Sequence, residues 1–568
     1  MKNNKRVEDH VSDKIKEIDG QLYEELFLSG AANLKENAQI VNDLNVFPIP
    51  DGDTGENMFL TIKGGVDGLK NAESPSLGDK ASAIASGMLL GARGNSGVIL
   101  SQLFYGIAEG LKGKTSVTIE EFASALGLGV KCAYGAVAKP VEGTMLTVAR
   151  EATAKASESI DENTTVASFF DKYLEEMKSS LERTPDLLEV LKEAGVIDSG
   201  GAGLVYIAEG FCKALGGESV KTDFGSEGEK NTAVDFSKFD ENCEMVYGYC
   251  TEMLVRLQKS KTDVDAFSVE DLVAFLESVG DSVVAFKTGT IIKIHVHTLT
   301  PWKVFQHCQT FGEFLTVKVE NMTLQHNETV AEKKEEALFK MPKKVRKHKK
   351  FATVTVASGD GLTQVFEEMG ADFVINGGQT NNPSAEDFIE AFDEVNADVI
   401  FVLPNNGNII LAAKQASEMY DKADVRVIES KSIGHGYSIL SMLDYGSDDA
   451  DEIESRMASD MQDIITGLIA KSVRTTSVNG VKVGEGEYMG FAEKVMYVST
   501  PDRQDALFGL IEKLDTSSRE YLILIYGKTV PEEEREAVAS LIGEKYPMVE
   551  FYEIDGGQDV YDYILVTQ

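Results

Sequence analysis

The spacing of apolar residues changes along this chain of 568 residues and divides it into regions of different structure. From residue 11 to about residue 215, apolar side chains recur every three to four positions, as at Ile15, Ile18, Leu22, Leu26 and Phe27, which is typical of amphipathic helices. Strand-like alternation is nearly absent there. We therefore predict an all-helical N-terminal domain over residues 1–216, with helices at 79–90, 96–112, 119–136, 143–158, 165–183 and 185–194.

A polar segment rich in glycine and serine, residues 217–235, separates this region from a block of different character. Alternating, β-rich runs follow at 243–257, 282–289, 290–298 and 314–322, with helical patterns at 267–280 and 301–312. The pattern predicts a small α+β middle domain over residues 236–330.

Residues 331–350 are highly charged and end in a basic run. Such a run suits either an anionic partner or a solvated linker, and we favour the linker. From Phe351 onward, short β-rich runs alternate with helical stretches, which indicates a parallel sheet with crossover helices. The chain is thus predicted to be multidomain, ending in an α/β domain over residues 351–568.

Composition excludes several classes of function. The formal net charge is −38, which disfavours a general nucleic-acid binder because a strongly acidic surface repels phosphate backbones. Five cysteines, an odd number, do not indicate a disulfide framework. The polar N-terminus shows no signal peptide, and no apolar run reaches bilayer length. We expect a cytoplasmic protein with no integral membrane segment.

The sharpest motif is the fourteen-residue string from Asn45 to Met58, which contains Asp51-Gly-Asp53-Thr54-Gly and then Asn57. Two carboxylates placed two residues apart in a tight turn can converge on one hard cation, and Mg²⁺ prefers oxygen ligands shared with phosphates. The residues after the turn are expected to open a helix, whose free N–H groups suit phosphate oxygens. Taken alone, Asp-Gly-Asp also fits a surface turn with an N-cap.

Three further motifs lie at helix joints. Gly91–Val98 contains Arg93, Ser96 and Gly97, and its cation suits a transferring phosphoryl group. The other two are Lys139–Leu146, with Thr144 and Met145, and Asp198–Leu204, with Gly200. Each of the three is also compatible with a simple helix–helix joint, and the first is not a Walker A loop.

Together the four motifs resemble the nucleotide-binding L subunit of dihydroxyacetone kinases, and most closely the ATP-binding subunit of bacterial fatty acid kinases. The resemblance implies a helical barrel that binds ATP and Mg²⁺. It implies that Asp51 and Asp53 hold the metal and that the nucleotide contacts fall on Thr54, Asn57, Ser96, Gly97, Gly135, Thr144, Met145, Asp198 and Gly200.

The third metal ligand departs from the family pattern. Dihydroxyacetone kinases carry another aspartate shortly before the pair, and here the nearest equivalents are Asn45, with one extra residue of spacing, and Asp43. We favour Asn45, whose amide oxygen is a weaker Mg²⁺ ligand than a carboxylate.

Two histidines in the middle block, His295 and His297, are two apart in a predicted strand and so share one face, which suits Zn²⁺. Cys250 can supply a thiolate if its strand is adjacent. The strings around these residues resemble the middle domain of the ATP-binding fatty acid kinase protein, which implies a Cys-His-His zinc site and a homodimer.

The C-terminal block carries polar loops after predicted strands, at Gly377–Ser384 and Pro404–Asn408, and a third at Gly434–Gly436. In parallel sheets ligands bind at this edge. The block resembles both the fatty-acid-binding proteins that partner the kinase and the matching domain of the kinase itself. We expect it to dock a fatty-acid-binding carrier protein.

Three functions remain open at this stage. The first is an ATP-dependent kinase that converts a carrier-bound fatty acid to an acyl phosphate. The second is a kinase for a small hydroxy-ketone such as dihydroxyacetone, although no second domain with a substrate-holding histidine is evident. The third is a non-catalytic scaffold that senses nucleotide.

Overall fold

The computed structural model describes residues 15–45, 53–70, 72, 74–217, 249–264, 267–288, 290–321, 348–379, 381–493 and 495–568. The chain forms two compact units. One contains residues 1–226 together with 347–568, and the other contains residues 227–346. The N-terminal helices and the C-terminal sheets therefore belong to the same unit.

Helices dominate the N-terminal part of the larger unit. They are α1 (Gly20–Asp43), α2 (Thr54–Lys70), α3 (Leu77–Leu90), α4 (Gly94–Leu111), α5 (Ile119–Gly135), α6 (Met145–Glu158), α7 (Val166–Glu182), α8 (Thr184–Leu187), α9 (Glu189–Ala194) and α10 (Ser199–Leu215). The long helices pack on their neighbours in sequence, and α10 packs on α1 and α7 around one apolar core. This confirms the helical N-terminal region, whereas the barrel geometry stays a prediction.

The all-helical expectation is wrong at the start of this region. Ile18 lies in a short strand, β1 (Glu17–Asp19), that pairs antiparallel with β2 (Ser116–Thr118). Asp19 then caps α1, and its carboxylate accepts a hydrogen bond from the Leu22 N–H at 2.9 Å. Ile18 is buried in the helical core. The apolar spacing thus reported burial correctly but not the backbone conformation, because the aspartate cap begins the helix later.

The C-terminal part alternates strands and helices. Its strands are β7 (Lys349–Ala357), β8 (Phe373–Asn376), β9 (Ala397–Leu403), β10 (Asp424–Val427), β11 (Ile465–Lys471), β12 (Thr476–Val478), β13 (Val481–Val483), β14 (Tyr488–Ala492), β15 (Val495–Thr500), β16 (Tyr521–Tyr526), β17 (Glu550–Asp555) and β18 (Tyr563–Thr567). Its helices are α13 (Asp360–Glu368), α14 (Ala385–Val395), α15 (Ile410–Met419), α16 (Ile433–Ser441), α17 (Ala450–Asp460), α18 (Arg503–Lys513) and α19 (Glu532–Lys545), with a 3₁₀ turn at Thr516–Ser518.

Two main sheets organise these elements. The first is parallel, with strand order β10-β9-β7-β8, which confirms the parallel sheet with crossover helices. The second is mixed, with order β15-β14-β11-β18-β16-β17. The hairpin between β12 and β13 turns at Asn479 and Gly480, whose φ angles of 50° and 80° suit those two residue types.

The first sheet begins slightly earlier than expected. Lys349 and Lys350, assigned to the charged linker, already belong to β7. The ammonium group of Lys349 bonds Asp372, and that of Lys350 lies 2.7 Å from the Asp448 carboxylate. These acidic partners on the α/β part hold the end of the basic run against the sheet.

Apolar and polar contacts join the helical part to the α/β part. Ala92 and Val98 are buried in the same core as residues of the parallel sheet. Nearby, the buried Gln415 of α15 accepts hydrogen bonds from Ser101 at 3.3 Å and Gln102 at 3.2 Å, and its amide donates to the Leu89 carbonyl. The two parts therefore share a packed interface.

In the second unit the described elements are β3 (Tyr249–Leu257), α11 (Val269–Val279), β4 (Asp281–Thr288), β5 (Ile291–Thr298), α12 (Pro301–Gln309) and β6 (Gly312–Asn321). The strands form one antiparallel sheet in the order β4-β5-β3-β6. Ile292, Ile294 and Val296 are fully buried on one face of β5, as their alternation predicted. Across the described ranges of both units, none of the helices is long and apolar enough to cross a bilayer.

Candidate functional site

Helix α2 begins directly after Asp53, the last residue of the Asp-Gly-Asp motif. Asp53 precedes the first residue of the helix, and its carbonyl accepts a hydrogen bond from the Asn57 N–H at 2.7 Å. The Asp53 side chain is half-buried. Asp51 lies outside the described residues. The prediction that the turn opens a helix is confirmed, and the metal-ligand role of both aspartates stays a prediction.

Polar side chains bring the end of α1 to the starts of α2 and α10. The Asn45 amide oxygen accepts hydrogen bonds from the Thr54 hydroxyl at 2.9 Å and from the Ser199 hydroxyl at 3.1 Å. The Asn42 amide oxygen accepts from the Gly55 N–H at 2.7 Å. Asn42 and Ser199 were not predicted as site residues, although amide and hydroxyl side chains at helix ends are a recurrent capping signal.

The second motif packs closely on α2. Gly94 has a φ of 58°, and a Cβ added there would lie 2.7 Å from the Asn57 amide nitrogen. A Cβ at Gly97 would lie 2.3 Å from the Thr61 hydroxyl oxygen. These close approaches explain the two glycines by packing of α4 against α2. Ser96 lies in the first turn of α4 and is half-buried.

Arg93 precedes α4 and extends toward the α/β part. Its guanidinium donates to the Asn382 carbonyl oxygen at 2.8 Å and lies 3.5 Å from the Asp387 carboxylate. Its backbone N–H donates to the Thr61 hydroxyl at 3.2 Å. The cation is thus held by Asn382, which lies in the polar loop Gly377–Ser384 that the sequence analysis singled out, and by Asp387, which it did not.

Two further predicted residues meet at the starts of α6 and α10. A Cβ added at Gly200 would lie 3.0 Å from the Met145 sulfur, so the two helix starts are neighbours. Asp198 caps α10, and its carboxylate accepts from the Gly201 N–H at 2.7 Å. Burial raises the pKa of Asp198 to about 6, and hydrogen bonds from the backbone N–H groups of Gly201 and Met145 oppose that rise.

The third motif is organised by Glu142. Its carboxylate accepts hydrogen bonds from the Thr147 hydroxyl at 2.6 Å and the Arg150 guanidinium at 2.8 Å. These contacts, the Thr147 bond first, lower the pKa of Glu142. Thr144 precedes α6, and its hydroxyl donates to the Val141 carbonyl at 2.8 Å. Gly135 ends α5, and a Cβ added there would meet no atom within 4 Å.

The C-terminal loop that begins at Gly377 reaches the helical part. Asn382 is buried, and its amide nitrogen donates to the Asp53 carboxylate. Ser384 caps α14, with Asp387 completing a capping box. Thr380 lies outside the described residues. No local sequence rule links Asn382 to Asp53, because they are 329 positions apart.

The oxygen-rich donor set fits Mg²⁺ and not a soft metal. Asp53 supplies a carboxylate, and Asn45 and Thr54 supply neutral oxygens at the same helix ends. Hard cations prefer such ligands. Within the described residues no group of three or more His, Cys, Asp or Glu forms a ready metal cluster. A cation here would therefore depend on Asp51 and on phosphate oxygens as well.

In the middle unit, the strand of Cys250 is adjacent to the strand of His295 and His297, which is the condition set for Cys250 to join them. Antiparallel pairing of β3 with β5 places Cys250 opposite His297 and Glu252 opposite His295. The side chains of Cys250, His295 and His297 lie outside the described part of the structure. Zinc at these positions stays a prediction.

A cleft of about 720 Å³ opens between the two main sheets of the α/β part. Gln379, Asn405, Asn406, Lys431 and Tyr561 are among its lining residues, so two of the predicted polar loops do border one cleft. Asn405 also has a structural role, because its amide donates to the Thr355 hydroxyl at 2.8 Å and the Val356 carbonyl at 2.9 Å.

Comparison with known families gives matches in all three regions. Residues 48–213 match the DAK2 domain, residues 246–329 match the middle domain of the FakA-like fatty acid kinase proteins, and residues 352–568 match the C-terminal domain of the same group.

Relatives of nearly the same length occur in bacteria. A protein of Staphylococcus epidermidis, SERP0792, is 38% identical over 557 residues, which is 98% of this chain and 100% of the relative. Protein YloV of Bacillus subtilis is 38% identical over 563 residues, with the same coverage.

Among solved structures, DegV, a fatty acid binding protein from Bacillus subtilis, aligns with a TM-score of 0.30 and 15% identity, over 38% of this chain and 99% of DegV. The dihydroxyacetone kinase of C. freundii aligns with a TM-score of 0.28 and 19% identity, over 38% of each chain. At such scores these similarities do not establish a shared fold. The three domain matches and the full-length relatives do identify the family: the chain belongs to the FakA-like fatty acid kinase proteins, with a DAK2-like N-terminal domain.

Proposed function

We propose that this chain is the ATP-dependent component of a fatty acid kinase. It transfers the γ-phosphoryl group of ATP to the carboxylate of a fatty acid presented by a separate carrier protein. A new oxygen–phosphorus bond forms at the carboxylate as the bond to the β-phosphate oxygen breaks, which yields an acyl phosphate and ADP. The observation that carries the proposal is the meeting of Asp53, Thr54, Asn45 and Ser199 where helix starts converge, with Arg93 held nearby.

Phosphoryl transfer requires positioning of the reacting groups and neutralisation of their charge, and different residues of the site would supply each. Asp51 and Asp53 would hold Mg²⁺ with Asn45 as the third ligand, and the cation would neutralise phosphate charge. The first turns of α2 and α10 are the positive ends of their helix dipoles, which favour a bound anion. Thr54, Asn57, Ser96, Gly97, Gly135, Thr144, Met145, Asp198 and Gly200 are the proposed nucleotide contacts.

Arg93 would stabilise the negative charge that develops on the transferring group. Its planar guanidinium carries five N–H donors, and the contacts to Asn382 and Asp387 leave some of them for phosphate oxygens. The acceptor needs no general base, because a fatty acid carboxylate is already ionised at pH 7.

The decisive experiment measures phosphate transfer from ATP in two reactions with the purified chain. One contains a fatty acid bound to a carrier recovered by pull-down, and the other contains dihydroxyacetone. We expect acyl phosphate only in the first reaction. Turnover of dihydroxyacetone would favour the hydroxy-ketone kinase, and ATP binding without turnover of either acceptor would favour the nucleotide-sensing scaffold.

We further propose that Cys250, His295 and His297 bind Zn²⁺ and that the chain forms a homodimer. The pairing of Cys250 with His297 across β3 and β5 supports the zinc site. Metal analysis should find about one zinc per chain, and Cys250→Ser or His297→Ala should lose it. Light scattering on the same samples measures the oligomeric state and separates a dimer from a monomer.

A further inference from the structure

The loop before α14 contacts the candidate metal site directly. Asn382 belongs to the α/β part and is 2% exposed, yet its amide nitrogen donates to Oδ2 of Asp53 at the start of α2. Burial of an amide side chain is costly unless its polar atoms are bonded. The contact to Asp53 therefore explains why a polar side chain occupies this buried position.

The same segment also fixes Arg93 and its neighbour. The Asn382 carbonyl accepts from the Arg93 guanidinium at 2.8 Å, and the Asp387 carboxylate lies 3.5 Å from it. The Ala385 N–H donates to the Ala92 carbonyl at 3.3 Å, and Arg93 forms a β-bridge with Ser384. One short segment thus contacts both charged groups of the proposed phosphoryl-transfer site.

These contacts restrict the orientation of both the Asp53 carboxylate and the Arg93 guanidinium. The Asn382 amide oxygen is itself buried with no partner among the described residues. An acceptor in that position suits a water bound to a hydrated cation, because Mg²⁺ usually keeps several waters in proteins.

We propose, on the basis of the proposed function, that Asn382 is a positioning residue for the metal–nucleotide site. It holds the Asp53 carboxylate in one orientation, from which that carboxylate would bind the cation. Partners of metal ligands commonly act in this way, and removing one typically lowers metal affinity about 10- to 100-fold. The α/β part thereby completes a site that the helical part does not complete alone.

A competing interpretation is that Asn382 blocks the site and must release Asp53 before a metal binds. The two interpretations predict opposite changes when the side chain is removed. Loss of a positioning residue weakens Mg²⁺-dependent nucleotide binding, whereas loss of a blocking residue strengthens it.

The test compares the full-length chain with Asn382→Ala and with Gln364→Ala as a control. Gln364 lies on the exposed surface of α13 in the same α/β part, where its amide donates to the Glu368 carboxylate at 2.8 Å. Binding of a fluorescent ATP analogue is titrated with Mg²⁺, and binding in EDTA is measured in parallel. Mn²⁺ binding followed by electron paramagnetic resonance gives a second readout without turnover.

We expect Asn382→Ala to raise the half-saturating Mg²⁺ concentration at least 10-fold, with binding in EDTA unchanged and Gln364→Ala like the unaltered chain. An unchanged or lower Mg²⁺ requirement in Asn382→Ala would overturn the positioning role, as would an equal effect of both substitutions. Absence of Mg²⁺-dependent nucleotide binding in the unaltered chain would instead contradict the proposed function itself. Failure of the positioning role and failure of the proposed function are therefore distinguishable.

A measurement on the unaltered chain covers the case in which Asn382→Ala does not fold. Amide hydrogen exchange at Ser384, Ala385 and Asp387 is compared with nucleotide plus Mg²⁺ and with nucleotide plus EDTA. Slower exchange with Mg²⁺ supports the positioning role, since the segment then tightens on the loaded site. Faster or unchanged exchange with Mg²⁺ contradicts it.

Discussion

The guanidinium of Arg93 donates to the carbonyl oxygen of Asn382 at 2.8 Å, across 289 positions of the chain. This hydrogen bond joins the start of α4 to the loop before α14. The helical part, which carries the nucleotide-binding motifs, is therefore in contact with the α/β part at the site of its proposed chemistry. Substitutions on either side of this contact are expected to affect the same reaction.

Asp53→Ala should abolish phosphate transfer while the chain remains folded. The substitution removes a carboxylate that would hold Mg²⁺, and it leaves the backbone hydrogen bond from the Asn57 N–H in place. ATP consumption with carrier and fatty acid measures the loss. Asp67→Ala is the control, because Asp67 lies near the other end of the same helix, where it pairs with Lys63 and Lys70. Retained turnover in Asp53→Ala would contradict the assignment.

Asn45 and Asp43 are the two candidates for a third ligand, and substitution distinguishes them. Asn45→Ala removes the oxygen that accepts from Thr54 and Ser199, so we expect a higher Mg²⁺ requirement for ATP turnover. Asp43→Asn should leave that requirement unchanged, because the Asp43 carboxylate accepts from Gln39 within α1. The reverse order of effects would assign the ligand to Asp43.

Arg93→Ala is expected to lower kcat about 10²- to 10³-fold, the cost commonly seen when one donor to a developing charge is lost. Arg93→Lys should recover only part of the rate, since a lysine keeps the charge but not the planar fork of donors. Steady-state kinetics with ATP measures both variants. Arg183→Ala, which breaks a pair with Glu151 at 2.6 Å elsewhere in the helical part, should keep the full rate.

Asp198 should make the stability of the nucleotide-free chain depend on pH. Its pKa of about 6 in the folded chain lies above the unfolded value near 4. Its contribution to the unfolding free energy is therefore fully present below about pH 4 and is lost as the pH rises through 6. The loss is at most about 3 kcal/mol, and less where solvent reaches the carboxylate. Asp198→Asn keeps a helix cap but cannot ionise.

Urea denaturation of the unaltered chain and of Asp198→Asn at several pH values isolates this effect. As the pH rises from 4 to 7, the unfolding free energy of the unaltered chain should fall relative to that of Asp198→Asn. A constant difference over that range would show that Asp198 does not carry the raised pKa.

Gln415→Ala should weaken the interface between the helical and α/β parts. The buried amide bonds Ser101, Gln102 and the Leu89 carbonyl, and its removal leaves buried polar groups unsatisfied at a cost of about 1–3 kcal/mol. Chemical denaturation measures the change in unfolding free energy. Gln39→Ala on the exposed surface of α1 should alter it little, and equal effects would argue against a special role of Gln415.

Features governed by local rules were predictable from the sequence. The Ser384 cap, the Asn479-Gly480 hairpin and the parallel strands all follow from short segments whose residue types favour one backbone conformation. The residues after Asp53 also open a helix as expected.

Features that depend on distant contacts were not predictable. Asn382 has no neighbour in sequence that indicates its bond to Asp53, and the strand at Ile18 has the same apolar spacing as a helix. In both cases the tertiary environment decides, because periodicity reports which side chains are buried but not what buries them.

The shared core of Ala92 and Val98 has a consequence for synthesis of the chain. Both side chains pack against the parallel sheet, whose strands follow the whole middle unit in the sequence. Ala92 and Val98 are therefore synthesised long before the strands that cover them. During translation the nascent helical part therefore exposes an apolar surface, which is a feature that chaperones recognise in multidomain proteins. A truncated chain that stops before β7 would retain that patch permanently and should aggregate more readily than the complete one.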